Sequence, residues 1–499
     1  MAGKTRLVVQ VLSEGWAGAP LWLPSDDDGI VQLVDSGQDP VAGTVVFLDD
    51  VDRFLSNSSL TLTLLDRWLT AGCLVVTTMT SAKYAQWRDD ASKKLPGWDV
   101  LNRFKKIHIS ALPTEGELAA MRSTPYADLI PAARTLGLPA ILGGAPPARE
   151  KFRDGAEDRS GGWALVRAAA DWHRVGLGPA TTQQLQGLAE AYPDAQAGDI
   201  DWDVAWEWAR RPVNHTVALL RRTEGQRWEV LEPISDEADW PLHDRVLRAM
   251  SGAGLTPSQS LTLAMRAYLE ARYVASDWVV ALLNQALLDD SQRVRGRASH
   301  FLAAILFDER RDLERVDALM RQALDCEPSE PTFLGSYAIF LTDVRKNQDR
   351  AEEMFERALT ADPNHANTLG NYAKFLFVRR QDTEGERYAA RALELATEPD
   401  QLPLRAECNF YFFMHVPARR QASGSELRVL LSKGVSTGAW DFTANLARVI
   451  ADADPRTDLL TAVAAALGAG DATALSGFAE WRDLPPAVGG PAAIPLEPT

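Results

Sequence analysis

The chain is poor in cysteine, in histidine and in positive charge, and each shortage closes off a class of protein. Its three cysteines, Cys73, Cys326 and Cys408, are odd in number and far apart, with no C-x-x-C among them. That excludes a disulfide scaffold and a cysteine-built zinc site. Seven histidines are present and none belongs to an H-E-x-x-H motif. Lys and Arg total 52 against 68 Asp and Glu, a formal net charge of −16. This balance disfavours a general nucleic-acid binder, whose affinity comes from neutralising phosphates. No apolar run approaches the roughly 18 residues a membrane-crossing helix needs, and the start of the chain has no signal-peptide h-region. A reducing, cytoplasmic location is expected.

What is present is globular. Hydrophobic residues are 46%, charged residues 24%, and 15 Trp argue for packed interiors. A length of 499 residues predicts about three domains.

The first 113 residues alternate helical and strand patterns, which implies a parallel α/β sheet. "RLVVQVLSEG" has helical spacing. "VVFL" at 45–48 is a short continuous apolar run, the pattern of a strand buried on both faces, and it ends in Asp49 and Asp50. "SSLTLTLLDRWLTAG" reads as a helix closed by Gly72, "CLVVTTMT" at 73–80 as a second buried strand, and 104–113 as room for a third. Two acids at the carboxyl end of a parallel strand stand where such sheets bind ligands. The same pair would also serve as a solvated strand end leading into a helix cap.

Gly3-Lys4-Thr5 matches the end of the phosphate-binding pattern G-x-x-x-x-G-K-[ST]. The acid-ended strand follows about 45 residues later and the threonine-rich strand about 25 after that. That is the order of the parts in P-loop NTPases. Thr114 and Glu117 form a capping-box pattern, and Gly137-Leu138-Pro139 follows within a helical stretch.

On these motifs residues 1–145 resemble the STAND class of P-loop NTPases, the signalling ATPases that include NB-ARC proteins. The resemblance implies ATP and Mg²⁺. Gly3 and Lys4 would hold phosphates, Thr5 and Asp49 the metal, and Asp50 the attacking water. One of Thr77, Thr78 and Thr80 would lie beside the γ-phosphate, and Pro139 near the base and ribose. Where the class often carries Arg after the sensor strand, this chain offers Thr80 and Lys83. The loop's first half is expected upstream of Met1, which would be an internal residue of a longer motif. Slow ATP hydrolysis is expected if that upstream part is present, and without it these residues are expected to bind nucleotide poorly.

Downstream, 143–162 is rich in Gly, Pro and charge and reads as a linker. Residues 163–177 and 200–211 read as helices. Trp202 and Trp206 share a face and Trp208 falls off it. Residues 215–234 alternate, turn at Thr223-Glu224-Gly225-Gln226 and alternate again, a β-hairpin pattern. Helices followed by a hairpin suggest a winged-helix-like module. Arg221, Arg222 and Arg227 are its basic cluster, and the acidic setting argues against DNA.

The last third repeats. "LGSYAIFL" begins at Leu334 and "LGNYAKFL" at Leu369, and Ala-Leu pairs start at Ala323, Ala358 and Ala392. A period near 34 with two helices per unit resembles the tetratricopeptide repeat. The resemblance implies an α-solenoid whose groove binds a protein or peptide, with Ser336, Asn371 and Lys374 on the binding side. Solvated polar residues on an exposed helix face would look the same.

The expected plan is therefore an incomplete P-loop α/β domain (1–113), a helical lid and linker (114–178), a winged-helix-like module (179–245), a helical connector (246–296), a repeat solenoid (297–481) and a disordered tail (482–499). The function expected is ATP-dependent signalling through a protein partner, with homo-oligomerisation implied by the class. Two rival expectations are a non-catalytic repeat scaffold with a remnant NTPase domain, and a winged-helix transcriptional regulator.

Overall fold

The computed structural model describes residues 3–24, 29–30, 33, 39–56, 59–81, 83–85, 97–110, 112–124, 126–137, 141, 145–158, 160–192, 200–213, 217–223, 226–236, 240–269, 277–309, 312–396, 401–438 and 440–486. They are mostly helical, and none of their helices is long and apolar enough to cross a membrane. The chain divides into two compact units, Met1–Asp312 and Leu313–Thr499. The division falls inside the segment 297–481 expected to be one solenoid.

The first unit opens with α1 (Gly3–Gly15), β1 (Leu21–Trp22), β2 (Val45–Leu48), α2 (Asp52–Ser56), α3 (Leu62–Thr70) and β3 (Leu74–Thr77). The sheet is parallel, in the order β1-β2-β3, with Leu21 opposite Val45 and Val45 opposite Leu74. All four residues of β2 are buried, which is why it reads as an unbroken apolar run. Thr61 caps α3 by accepting from the Leu64 amide, and α3 turns Leu64, Leu65 and Trp68 inward.

The strand expected within 104–113 is not formed among its described residues. Ile107 and Ile109 are exposed, so no packed face rewards a ladder there. The third strand is Leu21–Trp22, too short to stand out in the sequence. Helices α4 (Trp98–Asn102), α5 (Glu115–Met121) and α6 (Ile130–Leu136) follow, and the Thr114–Glu117 capping box is present.

The expected linker holds a 13-residue helix, α7 (Ala145–Glu157). Pro146 and Pro147 fall in its first turn, where missing N–H groups cost nothing. Next come α8 (Gly161–Val175), α9 (Thr182–Ala189), α10 (Trp202–Arg210), β4 (Leu220–Arg222) and β5 (Trp228–Val230). The two strands form an antiparallel hairpin, and an isolated bridge joins Ala180 to Trp228 on its other side. Glu224 and Gly225 of the expected turn lie outside the described residues. α8 packs against α9, α10 and β5, and also against α7. Trp208 lies in a cradle of two glycines. A Cβ on Gly155 would come 2.6 Å from its ring, and so would one on Gly162. The unit closes with α11 (Glu232–Asp236), α12 (Asp244–Ser251), α13 (Pro257–Leu269), α14 (Asp277–Ala286) and α15 (Gln292–Asp308).

The second unit is a succession of packed helix pairs: α16 (Leu313–Cys326), α17 (Pro331–Phe340), α18 (Gln348–Ala361), α19 (Ala366–Val378), α20 (Asp382–Leu395), α21 (Leu402–His415) and α22 (Arg420–Ser432), then α23 (Thr443–Ala451), α24 (Thr457–Ala469) and α25 (Ala479–Arg482). The repeated alanines, Ala338, Ala351, Ala358, Ala373 and Ala392, are fully buried where helices touch. The repeated glycines mark close approach between successive first helices. A Cβ on Gly370 would come 2.6 Å from Leu404 Cδ1, and one on Gly335 3.0 Å from Thr368 Oγ1. Leu484 is buried and the Pro485 carbonyl accepts from Ser425, so the fold runs into the expected tail; the rest of that tail, from residue 487, lies outside the described residues.

Candidate functional site

The amino end of α1 and the carboxyl ends of β2 and β3 bring Lys4, Thr5, Asp49, Asp50 and Thr78 together. The Thr5 hydroxyl lies 3.0 Å from both carboxylate oxygens of Asp49. Thr78 donates to Asp49 Oδ1 at 2.5 Å and accepts from the Asp50 amide at 3.0 Å. The Val51 amide donates to the Thr78 carbonyl at 2.9 Å. These bonds hold Asp50 at φ 51, the left-handed region that a non-glycine residue rarely takes. Backbone strain of this kind persists where the surroundings over-determine it.

Lys4 reaches the same place. Its ammonium is buried, has no hydrogen-bond partner, and lies 3.7 Å from Asp50 Oδ1 and 3.9 Å from Glu232 Oε1. Glu232 begins α11, directly after the hairpin. Burial, with Asp50 beside it, pushes the Glu232 carboxyl above its ordinary range. Lys83 pairs with Asp52 at 2.9 Å. Burial raises the Asp52 carboxyl, and Lys83 opposes that rise. The His173 ring on α8 is pushed down to about 4, first by burial and then by Lys83, so it is neutral at physiological pH.

The expected residues Lys4, Thr5, Asp49 and Asp50 thus meet in one place at the start of α1, where Gly3 is the first helical residue. Of the three candidate threonines, Thr78 is the one bonded to Asp49. Pro139 lies outside the described residues; Gly137 before it ends α6 at φ 79. Asp52, Glu232 and His173 were not foreseen. Glu232 and His173 lie far along the chain, and their approach to the site leaves no local pattern in the sequence.

The donor set can be tested against ATP and Mg²⁺. A buried ammonium without a hydrogen-bond partner suits a phosphate oxygen. A hydroxyl and a carboxylate in contact suit Mg²⁺, which takes oxygen ligands and uses one or two carboxylates together with substrate phosphates. It therefore does not need three protein carboxylates, and no group of three or more His, Cys, Asp or Glu is gathered among the described residues. The residues fit.

In the second unit, Ser336 and Asn371 are half-buried, and Asn371 Oδ1 is buried without a hydrogen bond. Lys374 is half-buried, and its ammonium lies 5.2 Å from the centre of the Trp440 ring. In the hairpin module, Arg221 is engaged by Glu229 at 3.1 Å, Arg222 by Gln226 at 2.9 Å and Arg227 by the Pro179 carbonyl. No family model matches the chain, and no curated protein matches it.

Proposed function

We propose that the chain is a STAND-like, ATP-responsive regulator of the cytoplasm that recognises a protein partner through tetratricopeptide-like helix pairs. The observation that carries this reading is the meeting of Lys4, Thr5 and Asp49, with the Lys4 ammonium buried and without a hydrogen bond. In this reading Lys4 holds phosphate oxygens, Thr5 and Asp49 hold Mg²⁺, and Asp50 orients water. Mg·ATP supplies the phosphoanhydride and the divalent charge. Thr78 positions Asp49 and sets the Asp50 turn.

The repeated buried alanines and the glycine contacts between successive first helices support the repeat assignment. Three helices, the hairpin and the Ala180–Trp228 bridge support the winged-helix-like assignment. The exposed acids Asp203 and Glu207 on α10, and the internal pairing of the hairpin arginines, favour a protein-facing role for that module over DNA.

Calorimetric titration of Mg·ATP into the chain, beside Lys4→Ala and Asp49→Asn, tests the nucleotide half. Binding that both substitutions abolish is expected. Equal binding by wild type and Lys4→Ala would sink it.

A further inference from the structure

The first helices α19 and α21 present a face that the chain itself fills. The segment 440–452, which contains α23, lies across both helices. Its contacts are both apolar and polar: Phe442 and Val449 are buried in the core of the unit, with Trp440 and Leu446 packed against it. Trp440 Nε1 donates to Tyr411 Oη at 2.7 Å, and the Trp440 ring receives the Lys374 ammonium. Phe442 meets Phe410 edge-on at 4.9 Å. Asn445 is fully buried. Its amide nitrogen donates to the Lys374 carbonyl at 3.4 Å, and its oxygen lies 2.8 Å from His415 Nε2, which therefore donates.

Arg448 donates to the Phe377 carbonyl in the last turn of α19 and to both carboxylate oxygens of Asp382, at 2.6 and 2.8 Å. A cation on a carbonyl at a helix carboxyl end is placed where the helix dipole favours it. Asp452 closes the segment on Arg380. The outer side of α23 is open, with Ile450 59% exposed. Left-handed backbone stands on both sides, at Gly434 and Gly438 before the segment and at Ala453 after it.

An aromatic ring just before α23, and a buried amide and a guanidinium on it, at positions 440, 445 and 448, are anchors of the kind by which a helical segment docks in a groove. Lys374 is on the face that the repeat assigns to a partner, and here it holds the chain's own Trp440. We propose that the face of α19 and α21 is a helix-docking groove occupied by segment 440–452 as an internal ligand. The partner it fits is a segment with an aromatic side chain just before a helix and amide and arginine side chains on that helix, which docks by displacing segment 440–452. This deepens the partner-recognition half of the reading above and is independent of nucleotide.

The test uses the full chain and a labelled peptide of residues 438–454. Trp440→Ala with Arg448→Ala loosens the internal segment. The peptide is expected to bind that double variant at least about tenfold more tightly than wild type. Arg448→Asp in the peptide should abolish binding, and Asp382→Arg in the double variant should restore it. A double variant with unchanged circular dichroism that ignores the peptide overturns the groove. Should the variant fail to fold, hydrogen exchange on the wild-type chain decides. Amides of 440–452 exchanging about tenfold faster than those of α19 and α21 support a displaceable segment. Equal protection overturns it and makes the segment a permanent part of the core. Either overturning result leaves partner recognition on other faces of the helix pairs intact, so the two readings fail separately.

Discussion

The Lys4 ammonium stands 3.9 Å from a carboxylate oxygen of Glu232, so the start of α1 is tied to the helix that follows the hairpin. A second carboxylate, Asp50, lies 3.7 Å from the same ammonium. One cation therefore serves two acids. Burial and the proximity of Asp50 outweigh Lys4 at Glu232, because its carboxyl is raised and not lowered.

That imbalance fixes the sign of a pH effect. An acid whose folded pKa is raised contributes stability at low pH and loses it as pH rises through the folded value. Glu232→Gln keeps the neutral form at every pH. It is expected to match or exceed wild type in stability at pH 7, by no more than about 1 kcal/mol for a partly exposed group, with the gap closing toward pH 4. Urea midpoints at the two pH values check this. A variant less stable than wild type at pH 7 would show that the attraction to Lys4 dominates instead. If Lys4 takes phosphate, removing this competing carboxylate also raises Mg·ATP affinity.

Thr78 is buried, and its hydroxyl accepts from the Asp50 amide while donating to Asp49. Thr78→Val conserves shape and leaves a strained backbone amide without its acceptor. A loss of about 1–3 kcal/mol is expected. Thr78→Ser should recover most of it. Hydrogen exchange at Asp50 gives the local readout: an unchanged rate in the valine variant would mean that the turn does not depend on this bond.

The two units differ in how much of them was legible. In the second, each buried position repeats: Ala338 with Ala373, Gly335 with Gly370. A periodic sequence announces a periodic packing problem. The acid-ended strand was equally plain, because four consecutive buried residues leave no alternation. Three features were hidden, each for its own reason. α7 was masked by prolines that a helix tolerates only in its first turn. β1 is two residues long. Glu232 and His173 meet the site through packing between elements far apart in sequence, which no local pattern records. The position of Lys374 under Trp440 was hidden in the same way.

Gly162 tests one such long-range contact. A Cβ there would stand 2.6 Å from Trp208 Cε3 and 3.0 Å from the Ala205 carbonyl oxygen. Gly162→Ala gains helix propensity, up to about 1 kcal/mol, and overpacks a ring that has backbone behind it, at about 1–3 kcal/mol. Net destabilisation is expected, with altered tryptophan fluorescence. Gly187→Ala is the control: it is exposed in α9 and nothing lies within 4 Å of its Cβ. It should stabilise the unit by about 0.5–1 kcal/mol. Equal effects from the two substitutions would show that the Trp208 ring sets no limit on the side chain at position 162.

Asp317 carries the last prediction. It is 4% exposed, and it accepts from Arg321 at 2.6 Å, from the Tyr337 hydroxyl at 2.9 Å, and from Arg345 at 2.8 and 3.1 Å. Removing one member of a buried charge cluster costs about 3–5 kcal/mol when the remaining charge stays buried and unpaired. Here it does not stay so. The Arg321 side chain is 55% exposed, and Arg345 keeps both of its 2.7 Å bonds to Glu314. Asp317→Asn, which still offers Tyr337 an acceptor, should therefore fall at or just below the low end, about 2–3 kcal/mol. Tyr337→Phe alone should cost about 1 kcal/mol. Asp317→Ala should exceed Asp317→Asn, because it also removes the acceptor of the Tyr337 hydroxyl proton, leaving that hydroxyl only its bond from Arg321 Nε. Urea midpoints at constant m-value give each figure, and the double variant Asp317→Ala with Tyr337→Phe should cost less than the sum of the two single changes. Additive losses would mean that the hydroxyl and the carboxylate, though 2.9 Å apart, do not support one another.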